Sequence, residues 1–107
     1  MGAAYEAIFI IPYNANKRLT DDGWEFDSLN KLPAEKIDKL ITSLELKLIE
    51  KYEGVSVYSS NGIKVSIFHD STGSIEYVFC QVFDLLNNQT ISEFCSNDSS
   101  LEFFKPA

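Results

Sequence analysis

The clearest hydrophobic pattern in the chain lies between Pro33 and about Tyr52. Apolar residues recur there at steps of three and four, as they do when one face of an α-helix packs on a core. Pro33 suits the first helical position, and Gly54 lies just beyond the last turn. The pattern predicts one long amphipathic helix, with Leu46 on its opposite, exposed face. The apolar stripe consists of Ile37, Leu40, Ile41, Leu44, Leu48 and Tyr52.

Two other segments, residues 5–11 and 75–83, are short and apolar on both sides of the chain. Such strands are typical of a sheet that is covered on both faces. We therefore expect the two strands to be neighbours in the centre of a sheet. Residues 55–59 and 63–68 predict two further strands, and residues 101–104 predict a last strand or a packed tail.

The turn between residues 55–59 and 63–68 decides which of their side chains share a face. A two-residue loop at Asn61 and Gly62 would place Val57 opposite Ser66, and the apolar residues of the two strands would then lie on opposite faces. A three-residue loop over residues 60–62 would instead pair Val57 with Val65 and give one apolar face. We predict the three-residue loop, with Gly62 in the left-handed region.

The remaining segments complete a prediction of the fold. Residues 14–32 are mostly polar and predict a long loop, and Thr90 to Glu93 has the form of a capping box that opens a short helix. We expect a single α+β domain over residues 1–107, with a mainly antiparallel sheet of about four strands and one long helix packed on one face, in the order β-α-β-β-β with a short C-terminal helix. The second face of the sheet then needs the C-terminal segment, the long loop or a second molecule as cover. The last option leaves a homodimer open.

Composition and charge narrow the classes of partner. The chain has 107 residues, of which 45% are hydrophobic, so it can bury a core without metals or disulfides. Nine basic residues face sixteen acidic ones, for a formal charge of -7. This balance argues against direct nucleic-acid binding and against docking on an anionic membrane, whereas it attracts basic proteins or simply favours solubility. No segment has the form of a signal peptide or a membrane span, so we expect a cytoplasmic protein with Cys80 and Cys95 as free thiols.

The sequence offers no recognisable catalytic or cofactor motif. Metal-ligand spacings and glycine-rich phosphate loops do not occur in it, and we expect no cofactor. His69 is the only histidine and has no nearby partner in sequence that would complete a catalytic arrangement. We therefore predict that the chain is not an enzyme, and keep a small hydrolase or transferase using His69 as an alternative.

The segment from Asp21 to Asp27 has the most distinctive composition in the chain. It interleaves two large aromatic residues, one of them the only Trp, with four acids. Large aromatic side chains surrounded by complementary charge are used as anchors in protein interfaces. The alternative is that Trp24 and Phe26 fold back to cover the sheet or the helix end. The partner-binding residues we predict are Asp21, Asp22, Trp24, Glu25, Phe26 and Asp27, with Leu46 as a second, weaker candidate.

An acidic α+β chain of about a hundred residues without catalytic motifs resembles the small immunity proteins of bacterial toxin systems, of the bacteriocin or contact-dependent growth inhibition type. The resemblance lies in this profile and not in a motif, so no residue role carries over. It implies that the chain binds and neutralises a basic toxin domain, often a nuclease, and performs no catalysis. A phage-type anti-defence protein or nucleic-acid mimic, with carboxylates in place of phosphates, is the alternative in another class. Acids spaced along one face would favour it.

Overall fold

The apolar segments assemble into one large sheet, one small sheet and two helices. The computed structural model describes residues 5–106. The predicted α+β class with a mainly antiparallel sheet is confirmed, and a second helix lies near the C-terminus as expected, but within those residues the large sheet has six strands, not about four, and a second, two-stranded sheet is present. The elements in chain order are β1 (Glu6–Pro12), β2 (Asn16–Thr20), β3 (Gly23–Asp27), α1 (Ala34–Ser43), β4 (Lys47–Tyr52), β5 (Val55–Ser60), β6 (Ile63–His69), β7 (Ile75–Val82), α2 (Leu85–Ser96) and β8 (Leu101–Phe104).

The large sheet has the strand order β4-β5-β6-β7-β1-β8, and every neighbouring pair is antiparallel. The first strand is therefore inserted between β7 and β8, with Ile8 opposite Cys80 and Ile10 opposite Phe103. The prediction that the two doubly apolar strands are neighbours is confirmed. The segment at 101–104 is a strand and forms one edge of the sheet.

One face of the sheet packs against both helices. Ile8 and Ile10 of β1 share this face with Cys80 and Val78 of β7, because residues directly opposite each other point the same way. These four side chains are completely buried. The same core includes Ile37 and Leu40 from α1 and Ile91 and Cys95 from α2. Burying an Ile or Leu side chain contributes about 1.5–3 kcal/mol each, so this layer dominates the stability of the fold.

The second face of the sheet is aromatic and is covered by the small sheet. Phe9 lies opposite Phe79 on one side and Phe104 on the other. Residues 14–32, predicted as a loop, contain the antiparallel hairpin of β2 and β3, which packs on these rings. A two-stranded hairpin is barely stable alone in water, so packing on the sheet is what stabilises it. The second face of the sheet is therefore covered by part of residues 14–32, which is one of the three covers considered above.

The helix α1 ends at Ser43, so the prediction of a helix reaching Tyr52 is wrong. The Glu45 N–H donates to the Thr42 carbonyl and the Leu46 N–H donates to the Ile41 carbonyl, both at 3.0–3.1 Å. These two bonds form a Schellman motif, in which Glu45 (φ 54°) takes the left-handed position that glycine usually occupies. The next six residues form the edge strand β4, because pairing with β5 outweighs their helical spacing.

The turn between β5 and β6 contains two residues, not three. Ser60 lies opposite Ile63, Val57 opposite Ser66 and Ser56 opposite Ile67, so the predicted pairing is wrong. Gly62 is in the left-handed region as expected, at φ 79°. The three-residue loop requires that one face of β5 is exposed to solvent. Instead Ser56 is buried on the helix-covered face and Val57 is buried on the other.

The second helix begins earlier than its capping box predicted. Asp84 is the N-cap, and its carboxylate accepts the N–H of Asn87 at 2.8 Å. Thr90 lies inside the helix, where its hydroxyl donates to the Leu86 carbonyl at 3.0 Å, so the capping-box prediction is wrong. Within residues 5–106, neither helix has the length and apolar character needed to cross a lipid bilayer.

Candidate functional site

The hairpin of β2 and β3 carries all but one of the predicted partner-binding residues. Thr20 lies opposite Gly23, so Asp21 and Asp22 form the turn at its tip. The Thr20 hydroxyl donates to the Gly23 carbonyl at 2.9 Å and accepts the Asp22 N–H at 3.2 Å. Gly23 has φ 113°, a conformation that side chains other than hydrogen rarely allow. The hairpin therefore turns at Asp21 and Asp22, and both carboxylates lie at its tip.

The aromatic residues of the hairpin face the sheet. The Phe26 ring centroid lies 5.0 Å from that of Phe9 and 5.3 Å from that of Tyr77. Trp24 meets Phe104 edge to face, with centroids 4.9 Å apart. Both hairpin side chains are half-buried. The structure therefore shows the alternative stated above, in which Trp24 and Phe26 fold back over the sheet. Their ring contacts hold the hairpin against the large sheet.

Two of the four hairpin acids are bound to a cation of the same hairpin. Arg18 contacts the Glu25 carboxylate at 2.6 Å and the Asp27 carboxylate at 3.2 Å. The hydrogen bond to Glu25 and then the charge of Asp27 raise the pKa of the Arg18 guanidinium. Asp21 and Asp22 are exposed and form no ion pair with any of residues 5–106. The free negative charge of the hairpin is therefore at its tip.

A further contact holds the base of the hairpin to the edge of the large sheet. The Lys17 ammonium lies 2.7 Å from the Glu102 carboxylate of β8 and 5.6 Å from the centre of the Phe104 ring. The Asn14 N–H, where the chain turns at φ 64°, donates to the same carboxylate at 3.0 Å. The tip acids are thus held on a braced hairpin and not on a flexible loop.

Leu46, the second candidate, lies elsewhere. It is only 8% exposed and belongs to the core beneath α1, so the prediction that it lies on an exposed helix face is wrong. The physical reason is the early end of α1, which turns the chain at Glu45 and directs Leu46 inward. We withdraw it as a partner-binding residue.

The sequence reasoning missed a groove between α1 and the strands β4, β5 and β6. It has a volume of about 840 Å³. His69 is at one end, where its Nδ1 lies 3.2 Å from the Gly73 carbonyl and its backbone N–H donates to the Gly54 carbonyl. Three carboxylates also line it: Asp38 of α1, Glu53 of the β4–β5 turn and Asp70 of the β6–β7 turn. The signal that would have revealed the groove is the pair of polar side chains Ser56 and Tyr58, which the two-residue turn places on the helix-covered face.

The other reactive side chains lie inside the core. Burial raises the pKa of the Cys80 thiol and raises that of Cys95 to about 12, so both are held as neutral thiols. Among residues 5–106, no three His, Cys, Asp or Glu side chains converge closely enough to hold a metal ion. Comparison with family models, with curated proteins and with solved structures found no match to this chain.

Proposed function

We propose that this chain is an inhibitory binding protein of the immunity type, which neutralises a basic toxin domain by direct contact. The observation that carries the proposal is the acidic tip of the β2–β3 hairpin. Asp21 and Asp22 are exposed, lack a cation partner among residues 5–106, and are held by a hairpin that is attached through Phe26 and Lys17. Preorganised charge of this kind binds with little loss of conformational freedom.

The distribution of charge on the hairpin suggests how recognition proceeds. Glu25 and Asp27 are already bound to Arg18, so they add little to the field seen by an approaching protein. The tip acids and the overall charge of -7 attract a basic partner and speed its association. Trp24, half-buried against Phe104, is positioned to add apolar contact only after the tip has docked.

The test starts from the partner. Proteins that co-purify with the chain from its native host, and the product of the adjacent reading frame, are identified, and association kinetics are measured with the purified partner. Asp21→Asn together with Asp22→Asn should slow association about tenfold at low salt and flatten its salt dependence, with little change in dissociation. Glu35→Gln together with Glu93→Gln, which removes the same charge from the helices, is the control and should have a smaller effect. A partner that is not basic, or equal effects of both variants, would contradict the proposal.

One observation favours a second candidate function, a small enzyme that uses His69. The groove at His69 contains carboxylates and holds the imidazole by a bond to the Gly73 carbonyl, which is the kind of environment that positions a general base. The two functions differ in the effect of His69→Gln. The binding function retains full neutralisation in that variant, whereas an enzyme loses its activity while its melting temperature and partner binding are unchanged.

A further inference from the structure

The turn between β5 and β6 joins an exposed asparagine directly to a glycine. Asn61 and Gly62 are its two residues, since Ser60 pairs with Ile63. Asn61 is exposed and Gly62 is half-buried. The chain has seven asparagines, and each of the other six is followed by a residue that carries a side chain. Gly62 has no Cβ, so nothing on that residue shields its backbone nitrogen from the Asn61 side chain.

The two reacting groups of this dipeptide form no hydrogen bonds with the described part of the chain, residues 5–106. The Asn61 side-chain amide has no partner there, and the Gly62 N–H donates to no acceptor there. The bonds that hold the turn use other atoms. The Gly62 carbonyl accepts the Phe83 N–H at 2.8 Å, and the Asn61 backbone carbonyl accepts the Asn87 side-chain amide at 3.3 Å. The fold therefore anchors the turn without engaging the groups that would react.

From these observations we propose that Asn61 is the site at which this chain deamidates spontaneously in its folded state. The Gly62 nitrogen attacks the side-chain carbonyl carbon of Asn61 and forms a bond to it. The bond from that carbon to the amide nitrogen breaks, and ammonia leaves with the proton that the Gly62 nitrogen gives up. Water then opens the resulting succinimide ring at either carbonyl carbon, adding a hydroxyl to the carbon and a proton to the nitrogen. The products are aspartate and isoaspartate, and the reaction consumes one water and releases one ammonia.

The isoaspartate product changes the turn in two ways. Its backbone runs through the former side chain, so the turn gains one backbone atom between strands that pair at Ser60 and Ile63. Its former backbone carbonyl becomes a free carboxylate. That carbonyl is the acceptor of the Asn87 amide, which also lies 3.2 Å from the Asp84 carboxylate at the start of α2. The new charge therefore lies close to the helix cap and repels it.

The test is a peptide map of the purified chain, incubated at physiological temperature and pH. Trypsin cuts after Lys51 and Lys64, so it releases residues 52–64 as one peptide with Asn61 as its only asparagine. We expect two products of this peptide with one equal mass gain, that of a hydroxyl in place of an amino group. The other asparagines should react at least about tenfold more slowly, because the next side chain hinders attack. The native chain should react within about tenfold of the synthetic peptide 52–64, since neither group has a bond to break. A slower native reaction, or equal mass gain at the other asparagines, would overturn the proposal.

Two variants of Asn61 separate the effect of the altered backbone from that of the added charge. Asn61→Gln keeps an amide but would need a six-membered ring, so it should keep its melting temperature through the same incubation. Asn61→Asp supplies the aspartate product alone. The isoaspartate form of the wild-type chain should melt at least about 4 °C below the fresh chain, and below Asn61→Asp. An unchanged melting temperature of that form would refute the predicted effect on the turn, and an equal loss in Asn61→Gln would place the damage at another residue. These measurements use the chain without a partner, so they do not depend on the proposed function of the hairpin tip.

Discussion

Gly62 is the position at which the structure predicts the sharpest effect of adding one carbon atom. It lies in the turn between β5 and β6, and its carbonyl accepts the Phe83 N–H at 2.8 Å. A Cβ at this position would overlap the carboxylate of Asp84. That carboxylate is the N-cap of α2, and the same helix end reaches the turn through a bond from the Asn87 amide to the Asn61 carbonyl. Gly62→Ala therefore strains the β5–β6 turn and also displaces the Asp84 carboxylate that caps α2.

The magnitude follows from these two contributions. Alanine in the left-handed region costs about 1–2 kcal/mol, and loss of an aspartate N-cap costs about 1 kcal/mol. Gly62→Ala should therefore lower the free energy of unfolding by about 2–3 kcal/mol. Gly54→Ala is the matched control, since its φ of 76° is nearly that of Gly62 and its added carbon would meet only an ordinary contact with the His69 carbonyl. It should cost about 1–2 kcal/mol from the backbone alone, which is about 1 kcal/mol less than Gly62→Ala.

Urea unfolding followed by circular dichroism measures both values. The Asp84→Ala background supplies a double-mutant cycle, because the cap is already absent there and Gly62→Ala should then cost no more than Gly54→Ala. If Gly62→Ala and Gly54→Ala cost the same in the wild-type background, the turn does not press on the helix cap and the reasoning is refuted.

Three further predictions concern the core and the surface. Leu46→Ala should cost about 2–4 kcal/mol in urea unfolding because the side chain is buried, whereas the exposed Leu48→Ala should cost less than about 1 kcal/mol; similar small values would contradict the burial of Leu46. The pKa of Asp70 is lowered to about 2, first by its bond from the Thr72 hydroxyl, against an ordinary value of 3.8. Its stabilisation is therefore complete above about pH 4 and is lost as the pH falls to about 2, so Asp70→Asn should flatten the pH dependence of stability in that window; an unchanged profile would argue against the turn bonds. Cys80 and Cys95 should react with a thiol reagent such as DTNB at pH 8 only when the protein unfolds, and fast labelling of the native protein would contradict their environment.

The sequence predicted that β1 and β7 are neighbours inside the sheet, because a strand that is apolar on both faces is stable only where both faces are covered. The two main errors of the sequence prediction are the helix that reaches Tyr52 and the three-residue turn between β5 and β6. Both have one cause, because the spacing of apolar residues does not reveal what covers each face of an element. The helical spacing of Leu48 and Tyr52 is real, yet both are exposed on an edge strand. The two-residue turn between β5 and β6 places apolar residues on both faces of the pair, which argues against it from the sequence alone, yet Ser56 on one face and Val57 on the other are both buried.

The candidate site was predictable in part. The composition of the hairpin identified its acids and aromatic residues, but only the alternation of strands β2 and β3 assigns the rings to the sheet and the tip acids to solvent. The groove could not be predicted, because it lies between α1 and the strand β4, and the sequence pattern assigns both to one continuous helix. Glu45 adopts a conformation there that is usually reserved for glycine, and nothing in its side chain signals it.

The position of β1 between β7 and β8 determines the order in which the strands of the large sheet can pair during synthesis. Strands β4 to β7 form a continuous meander from residue 47 to residue 82, so each of them finds its partner within a few residues as it leaves the ribosome. The first strand must wait, because its two neighbours are separated from it by more than sixty residues on one side and about ninety on the other. Both partners are made late, so the apolar segment from Ala7 to Ile11 stays unpaired during most of synthesis. The sheet is complete only when this first strand pairs between β7 and β8, and until then the growing chain exposes an unpaired apolar segment.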